Sequence, residues 1–244
     1  MDLGLTGRVA VVTGGNRGIG AETARLLGEE GATALAVSRS AGIDVTALDA
    51  AAQILERLDG RAPDILVNNA GTSYAKPLGE LSEEDWQLQW DLNVMASMRL
   101  MRAFVPQMAE RGWGRVVNVA STAGKRPSAA MPDYSVAKAA ELSLSRLFAD
   151  RYAAKGVLVN AICPGPVKSE MWMAEGGLLD QSQEMSGAAS RDEALEAAGS
   201  KRPIGRLAEV EEIAGAIAFL CSERASYVAG SAWSVDGGTV AVII

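Results

Sequence analysis

The chain has 244 residues, 48% of them apolar, with a formal net charge of −7; that length and apolar content suit one domain around one large core. The acidic balance excludes a general affinity for nucleic acid or anionic membranes, and no apolar run is long enough to span a bilayer. There is no His, which removes His-based triads and most zinc sites and leaves proton transfer to Tyr, Lys, Asp, Glu, Cys or water. Cys163 and Cys221 lie far apart without metal-ligand spacing and read as free thiols, so no metal is expected. Met1–Gly4 lacks the basic start and apolar core of a signal peptide, and the expected location is cytoplasmic.

In chain order, short Val/Ile/Leu/Ala-rich runs fall at 9–14, 33–38, 64–71, 115–121, 157–165 and 231–238. They do not alternate apolar with polar residues, which suits strands covered on both faces. Helical segments are expected between them at 18–30, 46–58, 82–111, 134–155 and 209–222. Ser82 followed by Glu83, Glu84 and Asp85 gives the third of these a helix start, with an N-cap and acidic residues in the first turn. The alternation predicts an α/β fold with a doubly wound parallel sheet of Rossmann type, as a single domain over 1–244. Residues 174–200, rich in Ala, Gly, Ser and Glu, read as a mobile insertion between the last two strands, with 167–205 as a substrate lid within the domain.

The first strand runs into "TGGNRGIG" (13–20), which opens a helix. Gly14 and Gly18 permit a tight turn and close approach of a pyrophosphate, Gly20 permits helix–strand packing, and the helix N-terminus offers N–H groups. Three residues separate Gly14 from Gly18, giving T-G-x-x-x-G-x-G rather than the common G-x-G-x-x-G. Further on come "NNAG" (68–71), "DLNV" (91–94), "NVAS" (118–121), "YSVAK" (134–138) and "PGPVKS" (164–169). Six motifs in this order, spread over nearly the whole chain, resemble the short-chain dehydrogenase/reductase family, in particular members like the 3-oxoacyl-acyl-carrier-protein reductases.

Tyr134 and Lys138, at i and i+4 on an expected helix, project from one face. An ammonium beside a phenol favours the phenolate, which makes Tyr134 the candidate general acid/base. The resemblance implies the rest of the catalytic set. Ser121 would hydrogen-bond the substrate oxygen, Asn93 would help hold a proton-relay water, and Lys138 would also hold the nicotinamide ribose, next to Tyr134. It assigns to the cofactor Gly14, Asn16, Arg17, Gly18, Ile19 and Gly20 of the glycine loop, and Asn69, Ala70 and Gly71 beside the adenine ribose. Pro164, Gly165, Val167 and Ser169 would border the nicotinamide.

Cofactor choice turns on the end of the second strand, where a carboxylate would take the ribose 2′-OH of NAD and Arg the 2′-phosphate of NADP. Ser38-Arg39 stand there, with Arg17 in the glycine loop as a second cation, and paired guanidinium donors favour NADP(H), that is NADPH, over NAD. Lys125-Arg126 after the catalytic Ser face either solvent or an anionic group on the substrate, and Met171, Trp172 and Met173 offer an apolar wall. The expected activity is interconversion of a ketone and a secondary alcohol by hydride transfer on a small-molecule substrate. Alternatives are an NAD-dependent sugar, polyol or cyclic-diol dehydrogenase and, in another class, a noncatalytic dinucleotide-binding sensor. The resemblance also implies a homotetramer, or a homodimer, built on the helices at 82–111 and 134–155. The apolar C-terminal "TVAVII" would dock on a neighbouring subunit.

The stretch "SRSAGIDVT" (38–46) breaks the pattern. Asp44-Val45 matches the pair that flanks the adenine in the family, but too few residues precede it for the usual crossover helix and third strand, since a parallel crossover takes about a dozen. Both are expected to be missing. The second strand then becomes the sheet edge, joined directly to Asp44 and Val45 across neighbouring strand ends about 4.8 Å apart.

Overall fold

The structure, a computed structural model, describes residues 2–241; the expectation for the C-terminal run falls in part on residues outside that range. The chain runs β1 (Val9–Thr13), α1 (Gly18–Glu29), β2 (Thr33–Val37), α2 (Ala50–Arg57), β3 (Ile65–Asn68), α3 (Glu83–Trp90), α4 (Ala96–Glu110) and β4 (Gly114–Val119). It continues through α5 (Thr122–Lys125), α6 (Pro132–Tyr152), β5 (Val157–Pro164), α7 (Glu170–Met173), α8 (Leu178–Ser186), α9 (Arg191–Ser200), α10 (Val210–Cys221) and β6 (Ala232–Val235). Among the described residues the sheet has six strands in the order β2-β1-β3-β4-β5-β6, every pair parallel.

Alternate strand residues feed two separate cores. Val11, Leu66 and Val116 face Leu100, Met101 and Phe104 of α4 and Ile54 of α2. Ala10, Val12, Ile65, Val67 and Val117 face Leu27 of α1 and Ile213 and Ile217 of α10. Both faces of the central strands are therefore apolar: every residue of β3 and β4 is buried, which is why these strands carry no alternating pattern.

The 38–46 segment forms no strand. Ser38 Oγ accepts the Ala41 N–H at 3.2 Å and caps a single 3-10 turn, Arg39–Ala41, that ends on Gly42 in the left-handed region. Ile43 N–H returns to Ser38 O at 3.0 Å, and Ile43 and Val45 then plug the core beside Val37 and Ile54. Arg57 Nη2 donates to Ala41 O at 2.7 Å and ties α2 back to the turn. β2, with four of its five residues not fully buried, is the sheet edge.

Three expectations are corrected. The helix placed at 46–58 begins only at Ala50, because Asp44 takes the Thr46 N–H at 2.9 Å and the Thr46 hydroxyl at 2.7 Å, holding 44–47 as a turn. The long helix at 82–111 starts on the expected Ser82 cap but is interrupted by a π-helical turn, Asp91–Met95, that carries Asn93. The stretch 174–200 is not a loop. It holds α8 and α9, which bury Leu178, Leu179, Ala194 and Ala198, and Ser190 caps α9 by accepting the Glu193 N–H at 3.2 Å. A seam built partly from Ala leaves little periodic signal in a composition dominated by small and acidic residues.

Ile43 is 1% exposed and is the plug that lets a link this short close. Replacing Ile43 by Ala should lower the unfolding free energy by about 3 kcal/mol, the usual cost of a large-to-small core change, read as a shift in urea midpoint at constant slope.

Candidate active site

Parallel strands end at one edge, so the loops after β1, β3, β4 and β5 meet there. Gly14 (φ +63°) and Gly18 (φ +53°) carry the backbone through left-handed turns, the conformation for which glycine has no steric cost. A Cβ on Gly20 would collide with Gly14 O and Asn69 Nδ2. Asn69 Nδ2 donates to Thr13 O at 2.9 Å and Gly14 O at 3.3 Å, while Thr13 Oγ1 accepts the N–H groups of Asn69 and Ala70 at 2.9 and 3.0 Å. The loop after β3 thus clamps the glycine loop open over a cavity of about 790 Å³. That cavity is lined by Gly14, Asn16, Arg17, Gly18 and Ile19, by Ser38, Arg39, Asp44 and Val45, and by Asn69, Ala70, Gly71 and Ser169. Arg17 and Arg39 are exposed and, among the described residues, belong to no ion pair. The Asp44 carboxyl is held below the usual carboxylate range by the two Thr46 donors and by the nearby Arg39 charge.

A second cavity, of about 540 Å³, shares Ile19, Asn69, Gly71, Ser169 and Met171 with the first. Ser121, Tyr134, Lys138, Pro164, Gly165 and Val167 line it. Ser121 closes β4 and caps α5, its Oγ accepting the Ala123 N–H at 3.1 Å. That bond occupies a lone pair and leaves the hydroxyl proton to donate. α6 places Tyr134 and Lys138 one turn apart, with the Lys138 Nζ 5.7 Å from the Tyr134 ring centroid. A buried polar chain sets α6 against the sheet: Asn68 Nδ2 donates to Asn118 Oδ1 at 2.7 Å, Asn118 Nδ2 to Ser145 Oγ at 2.7 Å, and Ser145 Oγ to Glu141 O at 2.7 Å.

Lys138 is buried, 3% exposed, as is Glu141 at 1%. The Lys138 Nζ donates to Val119 O at 2.8 Å and to Glu141 Oε2 at 2.8 Å, which leaves one of its three protons free. Ser97 Oγ donates to the other Glu141 oxygen at 3.2 Å. Burial, the largest single influence, works against the ammonium, but the Glu141 carboxylate together with Tyr134 and Cys163 moves the Lys138 pKa upward. Burial likewise pushes the Glu141 carboxyl up, against the pull of Lys138.

Asn93 and Gly20 line neither cavity. Asn93 is fully buried and its Nδ2 donates to Gln89 Oε1 at 2.7 Å and Gln89 O at 3.1 Å. Its Oδ1 has no partner and lies 3.1 Å from where a Cβ on Gly71 would stand. The π turn displaces the backbone by one residue at this position, a departure from regular helix that often marks a functional site. Lys125 turns from the cavity: its Nζ donates to Ala232 O at 2.6 Å and Ser234 Oγ at 3.0 Å, bracing β6. Arg126, Met171 and Trp172 do line the second cavity.

A family model described as Enoyl-(Acyl carrier protein) reductase matches residues 14–240. The chain belongs to the short-chain dehydrogenase/reductase family. It is an oxidoreductase of that family. It is 37% identical to a cis-4-hydroxycyclohexanecarboxylate dehydrogenase of Sinomonas cyclohexanicum, over 96% of this chain and 97% of the relative. It is 31% identical to a 3-oxoacyl-acyl-carrier-protein reductase of Vibrio cholerae, over 97% and 98% of the two chains. Among solved structures, the L-sorbose reductase of Gluconobacter frateurii, complexed with NADPH and L-sorbose, superposes with a TM-score of 0.88 at 33% identity, each chain covered completely.

Within this family member, the residues that sequence reasoning passed over are Glu141, Ser97 and Gln89. Each carried a spacing signal. Glu141 is three residues beyond Lys138 on the same helix face, and Gln89 and Ser97 flank Asn93 at i−4 and i+4. Glu141→Gln keeps the shape and leaves a buried ammonium without its counter-charge. At pH 7 it should cost about 3 kcal/mol of unfolding free energy. Because the Lys138 pKa is raised in the native protein, its contribution is complete below the ordinary lysine value and is lost as pH rises through the raised one. The gap between the two proteins in urea melts should therefore narrow above about pH 10.4.

Proposed function

We propose that this protein is an NADP(H)-dependent reductase that interconverts a ketone and a secondary alcohol, with Tyr134 as general acid/base. One observation carries the reading: Ser121, Tyr134 and Lys138 meet on one cavity that opens into the cavity above the glycine loop. The N-terminus of α1 and the loop from Gly14 to Gly20 suit a pyrophosphate, by their N–H groups and positive end. Arg39, with Arg17 across the cavity, suits a 2′-phosphate, and no carboxylate stands at the end of β2 to hold a free 2′-hydroxyl. The NADPH found in the sorbose reductase agrees with that choice.

Bound NADPH would supply the hydride. In reduction, the Ser121 hydroxyl donates to the substrate carbonyl oxygen and fixes its position. As negative charge gathers on that oxygen, Tyr134 donates its phenolic proton to it. The Lys138 ammonium stabilises the tyrosinate left behind, and its remaining proton is available to a ribose hydroxyl. Asn93 acts from behind this group: its partnerless Oδ1 faces the gap kept by Gly71 and suits a water that returns a proton towards Lys138. α7, α8 and α9, within 167–205, form the wall of the substrate cavity and serve as its lid.

The same reading includes a homotetramer. Val136 and Leu147 on α6 are 50% and 64% exposed, and eleven residues of α-helix place them about 20° apart on one face. Leu88 and Trp90 of α3 are also exposed. Leu147→Lys should convert the assembly to a smaller species in sedimentation velocity.

The reading is tested by turnover of a ketone panel with both cofactors. The kcat/KM for NADPH should exceed that for NADH by about two orders of magnitude, as expected for paired charged contacts to one phosphate. Tyr134→Phe should reduce kcat by a factor of roughly 100 to 10,000 while NADPH still binds. Comparable efficiency with both cofactors defeats the cofactor assignment, and full activity of the Phe variant defeats the role of Tyr134.

A further inference from the structure

The charges around the substrate cavity run against the rest of the chain. Acidic residues outnumber basic ones, 30 to 23, yet among the described residues no Asp or Glu lines this cavity, whereas Arg126, Lys138, Lys201 and Arg202 do. Lys138 has its own counter-charge in Glu141. The other three have none: among the described residues no carboxylate forms an ion pair with Arg126, Lys201 or Arg202.

Arg202 is the most telling of the three. Its backbone N–H returns to Gly199 O at 2.9 Å and its Nη1 donates to Ala198 O, which fixes the side chain at the end of α9. Its Nε is buried and has no partner. An arginine half withdrawn from water, with an idle donor and no counter-ion, lies in a state that an incoming anion would stabilise. Burial already draws its pKa down. Arg126, which directly follows α5, lines the same cavity, and the two arginines belong to segments about 75 residues apart. Met131, Met171, Trp172 and Leu178 add apolar lining to the same cavity.

We infer that the substrate is an oxo acid, or the corresponding hydroxy acid: an apolar carbon frame with the reacting carbon at Ser121 and Tyr134 and a carboxylate held by Arg126 and Arg202, with Lys201 beside them. The inference rests on the reductase reading above and names the substrate class for that site. Guanidinium groups suit this task because their planar donors match the two oxygens of a carboxylate. A neutral sugar or simple ketone would fill the cavity and leave these cations unpaired.

The test separates binding from turnover. Tyr134→Phe protein, with and without NADPH, is titrated by calorimetry with 5-oxohexanoate and its methyl ester, and with 4-oxocyclohexanecarboxylate and its methyl ester. In at least one pair the acid should bind at least about tenfold more tightly than the ester, the worth of one charge-assisted hydrogen bond. The acid-to-ester ratio should fall towards one in Arg202→Gln and in Arg126→Gln, two variants on separate segments, so that a folding defect in one leaves the other to decide. Equal affinity for acid and ester, or a ratio unchanged in both variants, overturns the inference. Wild-type turnover of the same four compounds reports on the reductase reading by itself. Reduction of esters and acids alike with no acid preference defeats only the anion site; selective binding of acids with no turnover by either cofactor defeats only the reductase.

Discussion

An ammonium held in the interior constrains the whole site. Moving such an ion out of water costs several kcal/mol even after the protein relaxes, and Lys138 is tolerable only because its surroundings are arranged for it. Glu141 is placed by the same helix, Val119 O by the end of β4, and Ser97, from α4, occupies the second carboxylate oxygen. Those three partners bind α6, β4 and α4 to one another at the candidate site. Space is rationed to match. A Cβ on Gly71 would stand 3.1 Å from Asn93 Oδ1 and 3.9 Å from Lys138 Nζ, and one on Gly124 would stand 2.8 Å from the Lys138 backbone carbon. The glycines at the site are thus set by the lysine as much as by the cofactor loop.

The parallel sheet supplies the second constraint. Because every strand ends at one edge, residues distant in sequence are brought together there by the sheet itself, and side-chain pairs such as Asn68–Asn118 add to that arrangement. This also explains how a sheet can lose a flanking strand and keep its site. β2, β1 and β3 still deliver Ser38, the glycine loop and Asn69 side by side. The 38–46 link runs along that edge, so that Ile43 and Val45 reach the core while Arg39 and Asp44 stay exposed. What is lost is cover on β2, which becomes an edge with open backbone groups.

Much of this could be read from the sequence, for physical reasons that differ by element. The strands were legible because burial on both faces forces continuous Val, Ile and Leu. The glycine loop and the Tyr134–Lys138 spacing were legible because backbone conformation and helix period leave few other residue choices. The missing crossover was legible by counting, since chain length cannot be evaded. The break in the helix at Asn93 was not, because a π turn changes hydrogen-bond partners without changing the apolar period on either side. α8 and α9 were hidden for a different reason: α9 buries only Ala194, Ala198 and Gly199, and α8 only the adjacent Leu178 and Leu179, so neither shows an apolar period. Glu141 was overlooked because a lone acidic residue on a helix ordinarily faces solvent. Only its position on the Lys138 stripe argued otherwise, and that argument works only once the stripe is known to be buried.

The internal pairing of Lys138 has a consequence for the electrostatics of both cavities. With Glu141 beside it, Lys138 adds little net positive charge beyond its own neighbourhood, so any attraction for anions comes from other side chains. Those are Arg17 and Arg39 in the first cavity and Arg126, Lys201 and Arg202 in the second. Both sets sit in concave, partly apolar surroundings, where charge acts over a shorter effective path through low dielectric than it does on an open surface. The rest of the molecule is acidic, with a net charge of −7. That background repels anions generally, while the unpaired cations lining the second cavity would attract them locally. An acidic protein of this kind gains selectivity from the contrast: an anion small and apolar enough to enter the second cavity meets Arg126, Lys201 and Arg202, which among the described residues form no ion pair.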